Sequence, residues 1–265
     1  MTAKRTLRRT GDPLWLRLLP FASVVLFLAA WEAVVRLNGV PPIILPAPSS
    51  IARYLAAMIA DGTLPYNLFV TFLRIMAGFL IAAFFGVLFG VLMGMSRVVA
   101  LVLDPWIAAL YPLPKISLIP LLIIWLGTGE SYILTISAVT AFFPILISTY
   151  AGIRQTDQGI VRAARDLGAN RHQVQLKVVI PAAIPSIFAG LQLGMGVTII
   201  LVVAAEMIGG SNQSGMGYLL IRYGQVMETE KVFAALIVLA VFGGVIIKAQ
   251  QRIDRWIAPW AVGRQ

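Results

Sequence analysis

Apolar residues in this chain gather into long blocks, separated by short clusters of charged, proline and glycine residues. A helix needs about 20 mostly apolar residues to cross a bilayer, and six blocks meet that length: roughly 16–37, 67–95, 98–126, 132–153, 185–208 and 232–253. The pattern predicts an all-α polytopic membrane protein with six transmembrane helices. The first block follows the basic stretch "AKRTLRR" but is no secretory signal: it is long, is interrupted by Trp31 and Glu32, and has no small-x-small cleavage site before "NGVPP". Between the first two blocks, "VPPIILPAPSSIARYLAAMIADGTLPYN" is too polar and proline-rich to span. Ser49 or Ser50 can cap a short amphipathic helix there, with Ile51, Leu55, Met58 and Ile59 on one face. Such a helix would brace the first two spans or meet an external partner.

Composition sharpens this picture. Of 265 residues 59% are hydrophobic and only 12% charged, where soluble domains are about 45–50% apolar and about 25% charged. Lys and Arg outnumber Asp and Glu by 21 to 11, and their placement explains the excess. One side collects Lys4, Arg5, Arg8, Arg9, Arg17, Arg97, Arg154, Arg162, Arg165, Arg171, Lys177, Lys248, Arg252, Arg255 and Arg264. The other has Arg36, Arg53, Arg222 and Lys231. Basic residues near span ends stay cytoplasmic, so both termini are expected in the cytoplasm. No aromatic-interleaved basic patch accompanies the charge, and no nucleic-acid partner is expected.

Catalytic chemistry finds little support. None of Lys4, Lys115, Lys177, Lys231 and Lys248 is followed by Ser or Thr, so the G-x-x-x-x-G-K-[ST] phosphate loop is missing. His172 is the only histidine, without H-E-x-x-H spacing, and cysteine is absent. The chain reads as neither an enzyme nor a cofactor or metal carrier.

The blocks instead carry packing and breaking signals. Gly86, Gly90 and Gly94 recur every fourth residue, as do Gly190 and Gly194, a spacing that lets helix backbones approach closely in lipid, within one chain or across a dimer. The third block places Pro112, Pro114 and Pro120 after Pro105, with Lys115 among them. Interior prolines break helical hydrogen bonding, and broken backbone at membrane depth belongs in protein or along a watery cavity. Lys115 then either reaches an interface or points into such a cavity. Glu206, near the outer end of the fifth block, is either satisfied by backbone donors of "GGSNQSGMG" or part of a gate.

One polar island interrupts the apolar chain: "RAARDLGANRHQVQLKVVIP", residues 162–181. Thr156 or Asp157 can cap a helix with Ile160, Val161, Ala164 and Leu167 in one stripe, and Gly168 can end it in a left-handed turn. A second short helix, about 171–179, is expected to stop before Pro181. Together they would form a compact cytoplasmic knob.

This island resembles the E-A-A-x₃-G-x₉-I-x-L-P signature of ABC importer permeases: Ala163, Ala164, Gly168 and Pro181 fall at signature positions, Val178 and Ile180 are apolar replacements, and Arg162 stands in place of the usual Glu. The fragments "LPAPSSI", "PLPKISLIPLLIIWLGTGE", "FFPILISTYAGI", "IPAAIPSIFAGLQLGMG", "VAAEMIGG" and "SGMGYLL" resemble, in order, the nitrate/sulfonate/taurine branch of those permeases.

The resemblance implies a type I importer permease with a basic tail over 1–15, a single permease domain over 16–265 and a coupling loop over 154–183. It implies two separate ATP-binding cassette subunits that use ATP and Mg, a second permease subunit (a homodimer preferred), an extracytoplasmic binding protein and residence in the bacterial inner membrane. Arg162, Ala163, Ala164, Asp166, Gly168 and Pro181 would couple to the ATPases. Pro112, Pro114, Lys115, Pro120 and Glu206 would line the path of a small, anionic or organic solute. Bicarbonate, aromatic acids and riboflavin or thiamine precursors are the alternative cargoes. A stand-alone secondary transporter or channel is the rival reading, disfavoured by the lack of a clear internal repeat and by the few charges within the blocks.

Overall fold

The computed structural model describes residues 14–209 and 214–259, with side chains described from residue 19 onward. Residues 1–13 of the basic tail, Arg264 and the centre of the "GGSNQSGMG" loop lie outside the described set, as does the side chain of Arg17. The helices are α1 (Leu14–Leu37), α2 (Pro48–Ala60), α3 (Thr63–Met95), α4 (Arg97–Leu110), α5 (Ile119–Leu126), α6 (Glu130–Arg154), α7 (Gln158–Asp166), α8 (Arg171–Val174), α9 (Ile180–Ile208), α10 (Met216–Gln225) and α11 (Thr229–Ile257). No strand occurs among the described residues. Five helical stretches are long and apolar enough to cross a membrane, and the pair α4 and α5 supplies a sixth crossing if counted as one bent span.

The core is built on α6, with α3 against one side and α9 against the other. The glycine ladders explain why. A methyl group on Gly86 would fall 2.8 Å from Ile145 Cγ2, one on Gly90 would fall 2.6 Å from Thr149 Cβ, and one on Gly94 would fall 2.5 Å from Ile153 Cγ2. Real Cβ atoms do not come so close, so each bare glycine is the hole that receives an α6 side chain. Gly190 meets Ser148 and Gly194 meets Ile145 in the same way from α9. Both ladders therefore close within one chain, which settles the choice between an internal contact and a dimer contact.

The pairings also fix direction. On α3 and α6 the partner numbers rise together, so these helices run parallel, and residues 97–126 must carry the chain back across between them. They do so brokenly: α4 and the stretch Lys115–Leu126 meet at 85°. At about 1.5 Å per residue, α4 alone spans roughly 21 Å, short of the about 30 Å hydrocarbon core. Pro112 and Pro114 sit in the break, whereas Pro105 lies inside α4 and Pro120 occupies the first turn of α5, where its missing N–H costs nothing.

Several sequence expectations change. Neither Ser49 nor Ser50 caps α2; the cap position is Ala47, followed by Pro48. The terminus is served from α1 instead: Glu32 Oε2 accepts from Ser49 N (3.0 Å), and Ser49 Oγ donates to Glu32 Oε1 (2.7 Å). Ile51 and Met58 are buried but Ile59 is exposed, and α2 braces mainly α11 and α3. Its buried face joins Leu64, Met216, Leu219, Leu220, Ala234 and Ala235. The second block starts earlier than expected, at Thr63, after a left-handed Gly62 (φ 79°). There Asp61 Oδ1 accepts the Thr63 N–H at 2.9 Å, which holds that carboxyl below its usual range.

The expected stop before Pro181 does not occur. Residues 171–208 form one continuous helix, with a π turn over Gln175–Val179. Ile180 N bonds to Gln175 O, five residues back. A wider turn placed ahead of the proline lets the helix absorb an acceptor that Pro181 cannot satisfy.

Candidate functional site

Three places concentrate polar chemistry, and the first is the knob. Asp157 is its N-cap: Oδ1 accepts from Gly159 N at 2.7 Å, while Thr156 is buried and bonds backward to Gly152 O. At the other end Gly168 has φ 88°, Gly168 N bonds to Arg165 O (2.9 Å) and Ala169 N to Ala164 O (3.0 Å). This is a Schellman closure, which satisfies the last carbonyls of α7. Asn170 and Gln173 then form a reciprocal capping box that starts α8. The turn from α7 into α8 is thus specified at both ends by side chains and backbone conformation.

The apolar stripe expected on α7 divides. Val161 is buried and Ala164 half-buried, but Ile160 and Leu167 are exposed, Leu167 at 90%. Arg162, Ala163 and Asp166 are exposed as well, and Pro181 is half-buried in the first turn of α9. A short helix with both ends fixed therefore presents apolar and charged groups outward together.

The second place is the break in the third span. The Lys115 Nζ donates to the Tyr111 carbonyl and lies 5.0 Å from the ring centroids of both Tyr111 and Phe143. The cation rests on aromatic faces rather than in a carboxylate pair. Around it Trp106, Leu110, Leu113, Ile116, Ile124 and Trp125 are exposed, so this segment is an uncovered apolar face of the single chain.

The third place was not read from the sequence as a cluster. Arg74, on α3, is 3% exposed and bridges two carboxylates. Its Nη1 donates to Glu206 Oε1 (2.7 Å), and its Nε and Nη2 donate to Glu130 Oε2 (2.7 Å) and Oε1 (2.6 Å). Arg74 Nη1 also donates to Ser214 O at 2.9 Å. Glu206 has a fully buried side chain and further accepts from Thr71 Oγ1 (2.9 Å) and Gly217 N (2.9 Å). Met216 N donates to Thr71 Oγ1, and Gly215 N to Asn67 Oδ1.

The result is an ion cluster, buried at Arg74 and Glu206 and exposed at Glu130, that ties the start of α10 to α3, α6 and α9. In this conformation Glu206 faces Arg74, Thr71 and Gly217 rather than open space. The expected backbone donor is present in Gly217, but the principal partner is a guanidinium. Counting basic residues on loops passes over Arg74, because it lies roughly 16 Å along its helix; an ionisable residue at that depth was itself the available signal.

The chain matches the family model described as "binding-protein-dependent transport system inner membrane component" over residues 86–259. It belongs to that family. Among similar proteins, the taurine transport system permease protein TauC of Escherichia coli is 32% identical over 91% of this chain and 89% of its own length. A protein named as an aliphatic sulfonates transport permease, SsuC of Bacillus subtilis, is 34% identical over 93% of this chain and 88% of its own. Two solved structures share the fold at 22% identity. The MetNI methionine ABC transporter, in inward-facing conformations, aligns with TM-score 0.52 over 69% of this chain and 93% of that one. An amino acid ABC transporter with histidines aligns with TM-score 0.58 over 78% and 95%. The chain is thus a multi-pass ABC transporter permease, and the signature resemblance in residues 162–181 falls inside the matched region.

Proposed function

We propose that this permease imports a small organic sulfonate of the taurine type, delivered by an extracytoplasmic binding protein, and that it is driven by two ATPase subunits gripping residues 158–168. The observation that carries the coupling part is α7 itself, capped by Asp157, closed by Gly168 and leaving Leu167 and Ile160 uncovered beside exposed Arg162 and Asp166. An apolar anchor within a charged rim on a rigid helix suits a groove on a partner protein. Ala163 and Ala164 belong to the same helix, Ala164 on its half-buried side, and Pro181 sits beyond the knob in the first turn of α9.

Both termini lie in the cytoplasm in this reading, and ATP and Mg are used by the ATPase subunits. A second copy of the chain covers the exposed face around Trp106, Ile124 and Trp125. The broken segment with Pro112, Pro114, Lys115 and Pro120 then lies along the path between the two copies. Lys115 offers the passing anion a cation held only by a carbonyl and two rings. The sulfonate class is favoured by that cation together with the two sulfonate- and taurine-named relatives.

Gly168→Val tests the coupling. A β-branched residue at φ 88° is strained by about 1–3 kcal/mol, although nothing crowds the position. Uptake and solute-stimulated ATP hydrolysis by the assembled complex are expected to fall about tenfold or more, with the chain still present in the membrane. Unchanged values for both would reject α7 as the transmission element.

Lys115→Cys tests the path. The chain has no native cysteine, so labelling by a small, charged thiol reagent reports this position alone. Reactivity that differs between nucleotide-free and nucleotide-bound complexes, with protection by taurine, is expected. A thiol that stays unreactive in every state would remove Lys115 from the path.

A further inference from the structure

Behind α7, between it and the cytoplasmic ends of α3 and α6, lies a cavity of about 370 Å³. Its polar wall carries Arg154, Arg165 and Arg171 with Gln158 and Gln175, and its apolar floor includes Ile153 and Val179. No carboxylate lines it. Among the described residues none of the three guanidiniums has a carboxylate oxygen within 4.0 Å. Arg154 is oriented by Tyr150, whose hydroxyl oxygen accepts from Nη1 at 3.0 Å while its ring lies 5.7 Å from the guanidinium.

Three cations line one hollow with no carboxylate in its lining, and an anion placed among them would be favoured. Guanidinium forks suit the paired oxygens of a phosphate. A second cavity, about 450 Å³, adjoins the first at Gly94 and Arg154 and continues past Arg97 and Asp104 to Ala100 and Leu101. Leu101 is 64% exposed on the face of α4. The hollow therefore leads from a cationic chamber, past Arg97 and Asp104, to the exposed apolar side chain of Leu101, a shape that suits a molecule with a phosphate head and a hydrocarbon tail.

We infer that Arg154, Arg165 and Arg171 bind the phosphate headgroup of an anionic phospholipid of the cytoplasmic leaflet, with an acyl chain leaving along Ala100 and Leu101. Basic pockets between spans on this side of a membrane are suited to acidic headgroups. The site shares α7 with the proposed ATPase contact, through Gln158 and Arg165, but lies away from the exposed Ile160 and Leu167, and it does not depend on which solute is carried.

The test uses the full chain in mild detergent and native mass spectrometry with phosphatidylglycerol or phosphatidylcholine added. Selective retention of phosphatidylglycerol is expected, weakened roughly tenfold to thirtyfold by the double variant Arg154→Gln/Arg171→Gln. Arg53→Gln/Arg222→Gln, which removes the same charge from the opposite rim, is expected to retain the lipid as the unaltered chain does. Circular dichroism and gel filtration matched across the three proteins exclude misfolding as the cause. Equal loss in both double variants would mean that net charge, not a site, holds the lipid, and equal retention in all three would remove the site. If millimolar inorganic phosphate displaces the lipid and raises the melting temperature by itself, in the unaltered chain only, the occupant is a soluble anion and the lipid assignment fails.

Discussion

Arg74→Met is expected to destabilise the protein by about 3–5 kcal/mol, because Glu206 would be left as a buried charge with no cationic partner. Thr71 and Gly217 N would still face the carboxylate, but neutral donors do not offset the desolvation of an ion at this depth. The loop into α10 would lose the guanidinium that holds Ser214 O. Thermal unfolding of the purified chain, followed by intrinsic tryptophan fluorescence, would show the effect.

A companion variant separates the charge from the contact. Arg74→Met/Glu206→Gln removes both charges of the buried pair and keeps a side chain able to accept from Thr71 and Gly217. It is expected to recover a large part of the loss, since replacing a buried ion pair as a unit is far milder than breaking it. If the double variant is no more stable than Arg74→Met, the bond to Glu130 (2.6 Å) or the shape of the arginine governs stability instead.

Gly90→Leu is the second large effect. Even a methyl group there would sit 2.6 Å from Thr149 Cβ and 2.8 Å from the Leu146 carbonyl oxygen. One of those obstacles is backbone, so no rotamer change on α6 clears the space. The two helices must separate, and separation disturbs the neighbouring Gly86–Ile145 and Gly94–Ile153 contacts at the same time. Overpacking of this kind costs typically about 1–3 kcal/mol when the surroundings can shift, and more is expected along a three-step ladder. Folded yield in detergent, read by gel filtration, should fall severely; Gly196→Leu on α9, where nothing lies within 4 Å of an added Cβ, is the control expected to fold.

Much of this architecture was legible because bilayer physics is severe. Long apolar blocks, glycines every fourth residue and a proline cluster each have few structural solutions in lipid, and they correspond here to spans, to the α3–α6–α9 core and to the 85° break. The left-handed end of α7 was readable from Gly168 because the backbone there needs a residue without Cβ.

What escaped the sequence was pairing at a distance. Arg74 and Glu206 are separated by 132 positions, and nothing local at either one names the other. Glu32 likewise serves the start of α2 from another helix, a role that local capping rules assign to Ser49 or Ser50. Pro181 misled for the opposite reason: a local rule says stop, and a π turn one step earlier removes the conflict.

The uninterrupted helix from Arg171 to Ile208 contains 38 residues, about 57 Å at 1.5 Å per residue. One end continues directly from the knob, and the other carries Glu206 inside its grip of Arg74 and Thr71. Such a rod has the geometry of a crowbar with its tip clamped. If the ATPases move the knob as proposed, a tilt of a few degrees about the Gly190 and Gly194 contacts would press sideways on that clamp, and a push at one membrane surface would be felt at the other through a single helix.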